Sequence, residues 1–152
     1  MRICMLLERE DVRSDGRVRR EIRALTGAGH DVVLLHRGPA AHGDGERLDG
    51  ARLRSVEPRG RARRLLAALP GPALRAVRLV RYVAAAVRER PAAVHAHDVA
   101  MLPSGWAAAR LARAALVYDT HEYAAGVPYH GRGARLAVRA VQRALVPRCA
   151  AV

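Results

Sequence analysis

Short apolar runs recur along this chain, and the spacing between them carries most of the fold. "RICMLL" (2–7) is apolar throughout and suits a strand covered on both faces. In "DGRVRREIRALTGAGH", Val18, Ile22 and Leu25 recur at helical spacing with Arg and Glu between them. Asp15 has the chemistry of an N-cap, and Gly27 or Gly29 suits the helix end. "DVVLLH" (31–36) is the next strand, which completes a β-α-β unit.

Residues 38–50 are Gly-rich and read as a loop. "ARLRSVE" (51–57) alternates and predicts a third strand. "RARRLLAAL" predicts a short helix, broken at "PGP" (70–72), and 73–89 a longer one. On the longer helix Val77, Val80, Val83, Ala84 and Val87 share one arc, and Arg75, Arg78, Arg81 and Arg88 the opposite arc. Then follow a strand at 92–97, a helix at 102–113, a strand at 115–119, an irregular loop to Gly133 and a helix at 134–146. The alternation predicts one α/β domain over 1–152, Rossmann-like and doubly wound, with a mostly parallel sheet. "VPRCAAV" looks like the start of another strand, so an unpaired, apolar edge prone to self-association is expected near 148–152.

Composition changes this picture in two respects. Every basic residue is Arg, and there is no Phe and one Trp. The Arg bias goes with the many Ala and Gly, as in a GC-rich genome, so Arg abundance alone identifies no ligand. Its distribution is more informative. Residues 1–57 carry 11 Arg and 10 acids, whereas 58–152 carry 16 Arg and 4 acids. A basic half of this kind suits an anionic partner. The Arg-rich segment 59–90 is amphipathic, which fits peripheral contact with an anionic membrane surface better than nucleic acid, for which base-stacking aromatics are few. Cys4 and Cys149 lie in apolar runs and read as buried thiols of a reducing compartment. No secretory leader and no apolar stretch of membrane-spanning length is visible, so a cytoplasmic location is expected, peripheral at the inner face of the membrane if the basic segment docks there.

Two strands end in similar polar clusters. "VHAHDVAML" (94–102) carries His95, His97 and Asp98, and "LVYDTHEYA" (116–124) carries Asp119, His121 and Glu122. Ligands of parallel α/β sheets bind beyond the carboxyl ends of the strands, so His97, Asp98, His121 and Glu122 are expected to line one crevice. The first loop, 8–16, opens on the same side. The plainer alternative is that these groups cap strand ends and helix starts. His95 is expected to face elsewhere and to be structural. H-x-H and D-x-H-E also offer metal ligands, but no third anchor such as a Cys pair accompanies them, and no metal is assigned. The first loop lacks both G-x-G-x-x-G and the P-loop pattern, although Gly16 and the helix start beside it suit an anion.

Taken together, "SDGRVRREIRALTGAGHDVVLL", "VHAHDVAMLPSGWAAARL" and "LVYDTHEY" resemble the N-terminal, acceptor-side domain of glycosyltransferase family 4, of the GT-B fold. The order and spacing of the three carry the resemblance, which spans most of the chain. It implies retaining transfer of a sugar from a nucleotide-sugar co-substrate, with no tightly bound cofactor and no essential metal. By the same resemblance, Asp15, Gly16 and Arg17 match the first loop near the donor phosphates. His97 and Asp98 match the acceptor-side strand end, with Glu122 also binding acceptor. His121 matches a histidine at the reacting centre. The first loop departs from the Gly-Gly pair common in the family. The family's C-terminal, donor-binding domain is absent from the sequence, so the chain is read as truncated and inactive alone, completed by that domain or by a partner chain. The expected acceptor is a glycan or a lipid-linked glycan of the cell envelope. Two other classes compete: a metal-dependent hydrolase using His97, Asp98, Asp119 and His121 as ligands, and a basic non-enzymatic domain binding anionic membrane or nucleic acid.

Overall fold

The computed structural model describes residues 1–9, 11–38, 46–120 and 131–152. β1 (Arg2–Leu7) and β2 (Asp31–His36) are buried beyond their first residues, as strands covered on both faces must be. α1 (Gly16–Gly27) joins them, capped by Asp15, whose carboxylate accepts from the backbone N–H groups of Arg17 and Val18 at 3.2 Å. β3 (Arg47–Leu48), β4 (Ala51–Ser55), α2 (Gly60–Ala67), α3 (Gly71–Arg88), β5 (Ala93–His97), α4 (Asp98–Ala112), β6 (Ala115–Asp119) and α5 (Arg132–Leu145) follow.

The strands form one sheet in the order β3-β4-β2-β1-β5-β6, parallel except where β3 runs against β4. The chain winds outward from β1 to β4, and α3 then carries it back to β5 on the other side of β1. The strand order therefore reverses between β1 and β5, and the crevice of such a fold lies beyond their carboxyl ends. Side chains alternate across the sheet. Ile3, Met5 and Leu7 pack on Val18 and Ile22 of α1. Cys4 and Leu6 belong to the opposite core with Tyr82 and Ala86 of α3 and Leu102 of α4. Burial pushes the Cys4 thiol up to about 12, so it behaves as an inert apolar group. Both cysteines are free thiols, but only Cys4 is fully buried.

Four expectations need correction. The Gly-rich loop contains the short strand β3 and the turn Asp49–Gly50. On α3 the buried residues are Tyr82 and Ala86, with Leu79 and Val83 packed beside them, while Val80 is 67% exposed. Tyr82 fixes that rotation: its phenol donates to the Leu7 carbonyl at 2.6 Å while its ring fills the core. α4 begins at Asp98, four residues earlier than expected, with no loop after β5. Asp98 takes a φ of 67°, a left-handed turn that short acidic side chains tolerate, and this swings the strand straight into the helix. Finally, the edge near 148–152 is not bare. The Ala150 N–H donates to the Leu116 carbonyl at 2.7 Å, and the Ala151 carbonyl accepts from the Tyr118 N–H at 3.0 Å, so these residues pair with β6.

Close packing of α4 on the sheet makes a direct prediction. A Cβ placed on Gly105 would lie 2.8 Å from the Ala96 Cβ and 3.2 Å from a Leu116 methyl. Gly105→Ala gains about 1 kcal/mol of helix propensity but overpacks a site whose usual cost is about 1–3 kcal/mol. Urea unfolding should show a net loss of stability, and a gain would mean that α4 can lift freely from β5. Tyr82→Phe should cost about 1 kcal/mol, because the Leu7 carbonyl loses a buried donor. An unchanged urea midpoint would show that bond to be worth nothing.

Candidate functional site

Three elements bring polar groups to the α1 side of β5 and β6. The register pairs His95 with Val117 and His97 with Asp119. Residues two apart on a strand share a face, so His95 and His97 both point toward α1. Their ring centroids are 4.3 Å apart and their planes are tilted by 34°. This corrects the expectation that His95 faces elsewhere. Much of the rest of that face, Ile3, Met5, Leu7, Val32, Leu34, Leu53 and Ala93, is apolar, with the buried His36 at the end of β2.

His97 is fully buried. Its Nδ1 lies 3.3 Å from Asp119 Oδ2, and its Nε2 lies 3.6 Å from Glu21 Oε2. Arg17, one helical turn before Glu21, donates to the same Asp119 oxygen. A polar seam therefore runs Arg17, Asp119, His97, Glu21, linking the first turn of α1 to the ends of β5 and β6. Burial, and secondarily the Arg17 charge, pushes the His95 imidazole down to about 4, so it is neutral near pH 7. Glu21, His95 and His97 each offer one donor atom, and these atoms all lie within 4.8 Å of one another.

Each residue expected at the site has a definite place, apart from His121 and Glu122, which lie outside the described residues. Asp15 caps α1 and sits 3.6 Å from the Arg9 guanidinium, so its carboxylate serves the turn. Gly16 is exposed at the helix start, and a Cβ there would meet only an Arg20 nitrogen at 3.9 Å. Arg17 is half-buried and held by Asp119. Asp98 is half-buried at the strand-to-helix junction. His97 has no exposed surface and lies between Asp119 and Glu21. Of the hydrolase's four proposed ligands, the described residues bring His97 and Asp119 together, whereas the metal-ligand grouping they form is Glu21, His95 and His97. Sequence reading missed Glu21. The available signal was its place one turn after Arg17 on α1.

The fold has counterparts among solved structures. A sucrose-phosphate synthase from Thermosynechococcus elongatus matches with a TM-score of 0.64 and 17% identity, over 97% of this chain and 40% of that one. Anabaena HepE, solved in complex with UDP and glucose, matches with a TM-score of 0.55 and 14% identity, over 94% of this chain and 36% of that one. The chain thus spans well under half the length of either protein, and its fold is that of one half of a GT-B glycosyltransferase. A search of curated proteins gave no match. The model of the glycosyl transferase 4-like domain matches residues 16–152, from the first residue of α1 through the seam to Val152. On that match, the chain belongs to the glycosyl transferase 4-like domain family.

Proposed function

We propose that the chain is the acceptor-binding half of a retaining glycosyltransferase, which moves a sugar from a nucleotide-sugar to a glycan or lipid-linked acceptor. The observation that carries this reading is the position of Arg17. Asp119 holds its guanidinium at the first turn of α1, beside the exposed Gly16 and at the carboxyl end of the sheet. A cation and a helix start at a switch-point crevice suit the phosphates of a nucleotide-sugar. The UDP and glucose bound to Anabaena HepE support the same donor chemistry. In this reading Asp98 and Glu122 bind acceptor hydroxyls, and His97 belongs to the same acceptor end. His121 acts at the reacting centre. The nucleotide-sugar is a co-substrate, and the transfer itself needs neither a tightly bound cofactor nor a metal.

A crevice with one wall buries little of its ligand. The chain alone should therefore show no measurable transfer, and activity requires a second, donor-binding domain. With that domain supplied, His121→Ala should lower kcat by about 100-fold while changing acceptor KM little, because a group at the reacting centre acts mainly in the transition state. Arg17→Ala should chiefly raise KM for the nucleotide-sugar. Steady-state kinetics separate the two effects. Robust transfer by the isolated chain, or a pure KM effect at His121, would overturn this division of roles.

The α2–α3 surface favours membrane contact by such an enzyme. Leu65 and Val80 are 65% and 67% exposed, on helices that also carry the exposed Arg61, Arg63, Arg75 and Arg88. Apolar side chains amid Arg suit the interface of an anionic bilayer. Among the described residues no helix is long and apolar enough to cross a membrane. Vesicles containing phosphatidylglycerol should bind the chain at low salt and release it as salt rises, and Val80→Glu should weaken that binding. Equal binding to neutral vesicles would exclude the electrostatic contact.

A further inference from the structure

We propose that Glu21, His95 and His97 form a site for one divalent transition-metal ion of the zinc class, clamping α1 to β5. The inference is independent of the transfer reading, and the ion takes no part in that chemistry.

The sequence offers H-x-H without a third anchor, and the fold supplies the anchor. β5 presents His95 and His97 on one face, and α1 lays Glu21 across them. Ligand atoms bound tetrahedrally to zinc at about 2.0 Å are roughly 3.3 Å apart. His97 Nε2 and Glu21 Oε2 are 3.6 Å apart, and all three donor atoms fall within 4.8 Å. Contraction of up to about 1.5 Å would close the site.

Asp119 adds an independent argument. A metal-binding histidine commonly donates its other ring N–H to a carboxylate, which fixes the tautomer and aims the lone pair. Asp119 Oδ2 lies 3.3 Å from His97 Nδ1, which turns Nε2 toward Glu21. The Arg17 charge next to the seam is balanced by the same carboxylate. Two imidazoles and one carboxylate favour zinc, cobalt or nickel over magnesium or calcium, which take oxygen ligands. Glu21 and His95 are only half-buried, which gives the ion a path in and leaves a fourth position for water.

The test uses the purified chain, stripped with chelator and titrated with Co²⁺ and then Zn²⁺. One ion per chain is expected, with the visible absorption of four- or five-coordinate cobalt and a rise in Tm on adding zinc. His95→Ala and Glu21→Gln each alter a partly exposed side chain, and circular dichroism confirms their fold. Each should weaken the ion at least tenfold and abolish the Tm rise, whereas His30→Ala should change neither. Asp119→Asn should weaken it by about 10- to 100-fold. The proposal fails if no saturable binding occurs at micromolar ion. It fails equally if His95→Ala and Glu21→Gln bind as the parent does, which would place the ion on other histidines.

Discussion

The buried His97 between two carboxylates is the interaction on which the rest of this structure depends. A parallel sheet between helices is stable because both of its faces are dry and apolar. Here the interior also holds polar side chains, and among the described residues His97 has no exposed surface. Polar burial is tolerated only with partners in place, and the partners come from elements far apart in sequence. Glu21 comes from α1 and Asp119 from the end of β6. Asp119 also receives Arg17, so one oxygen ties the first turn of α1 to the far strand of the sheet. Replacing His97 with an apolar residue would remove the group that lies between Glu21 and Asp119 and so loosen the hold of α1 on β5 and β6.

The parts of the fold that were legible in the sequence are those decided by local pattern. β1, β2, β5 and β6 are runs of five or six residues whose periodicity has no competing reading, and Asp15 and Gly27 mark α1 at both ends. Local pattern fails where a tertiary contact chooses between near-equal faces. The valine arc of α3 and the arc through Leu79, Tyr82, Val83 and Ala86 are both apolar, and the Tyr82 bond to the Leu7 carbonyl selects the second. The start of α4 was hidden because it depends on the backbone of one residue, Asp98 at a φ of 67°. The pairing of Ala150 and Ala151 with β6 is likewise a long-range event that no window of sequence contains.

The ends of β5 and β6 were legible in the sequence, but the contacts made there were not. The strand register puts His97 beside Asp119 at the carboxyl ends of β5 and β6, while His121 and Glu122, expected in the same crevice, lie outside the described residues. What the strand pattern could also have given is the shared face of His95 and His97, since residues two apart always share one. Glu21 was not accessible in the same way. On α1 it stands among Arg17, Arg19, Arg20 and Arg23 and looks like one more member of a solvated charged face. Only the packing of α1 over β5 turns it inward.

The basic character of the second half divides in the same manner between structure and surface. Arg78 donates to the buried Glu57 at 2.9 Å, and Arg81 donates to the Val56 carbonyl at 2.7 Å. Arg52 and Arg54 meet the buried Glu89. These guanidinium groups hold β4 against α3, so they are not available to a polyanion without loosening the sheet. Other arginines of α2 and α3, Arg61, Arg63, Arg75 and Arg88 among them, are exposed on helices that also expose Leu65 and Val80. Base stacking has no platform there. A bilayer interface supplies both an anionic layer for the guanidinium groups and an apolar one for Leu65 and Val80, and so matches both halves of the pattern. That face lies on the α3 side of the sheet, whereas the polar seam lies on the α1 side. A protein resting on the membrane through α2 and α3 would therefore keep the seam clear of the lipid.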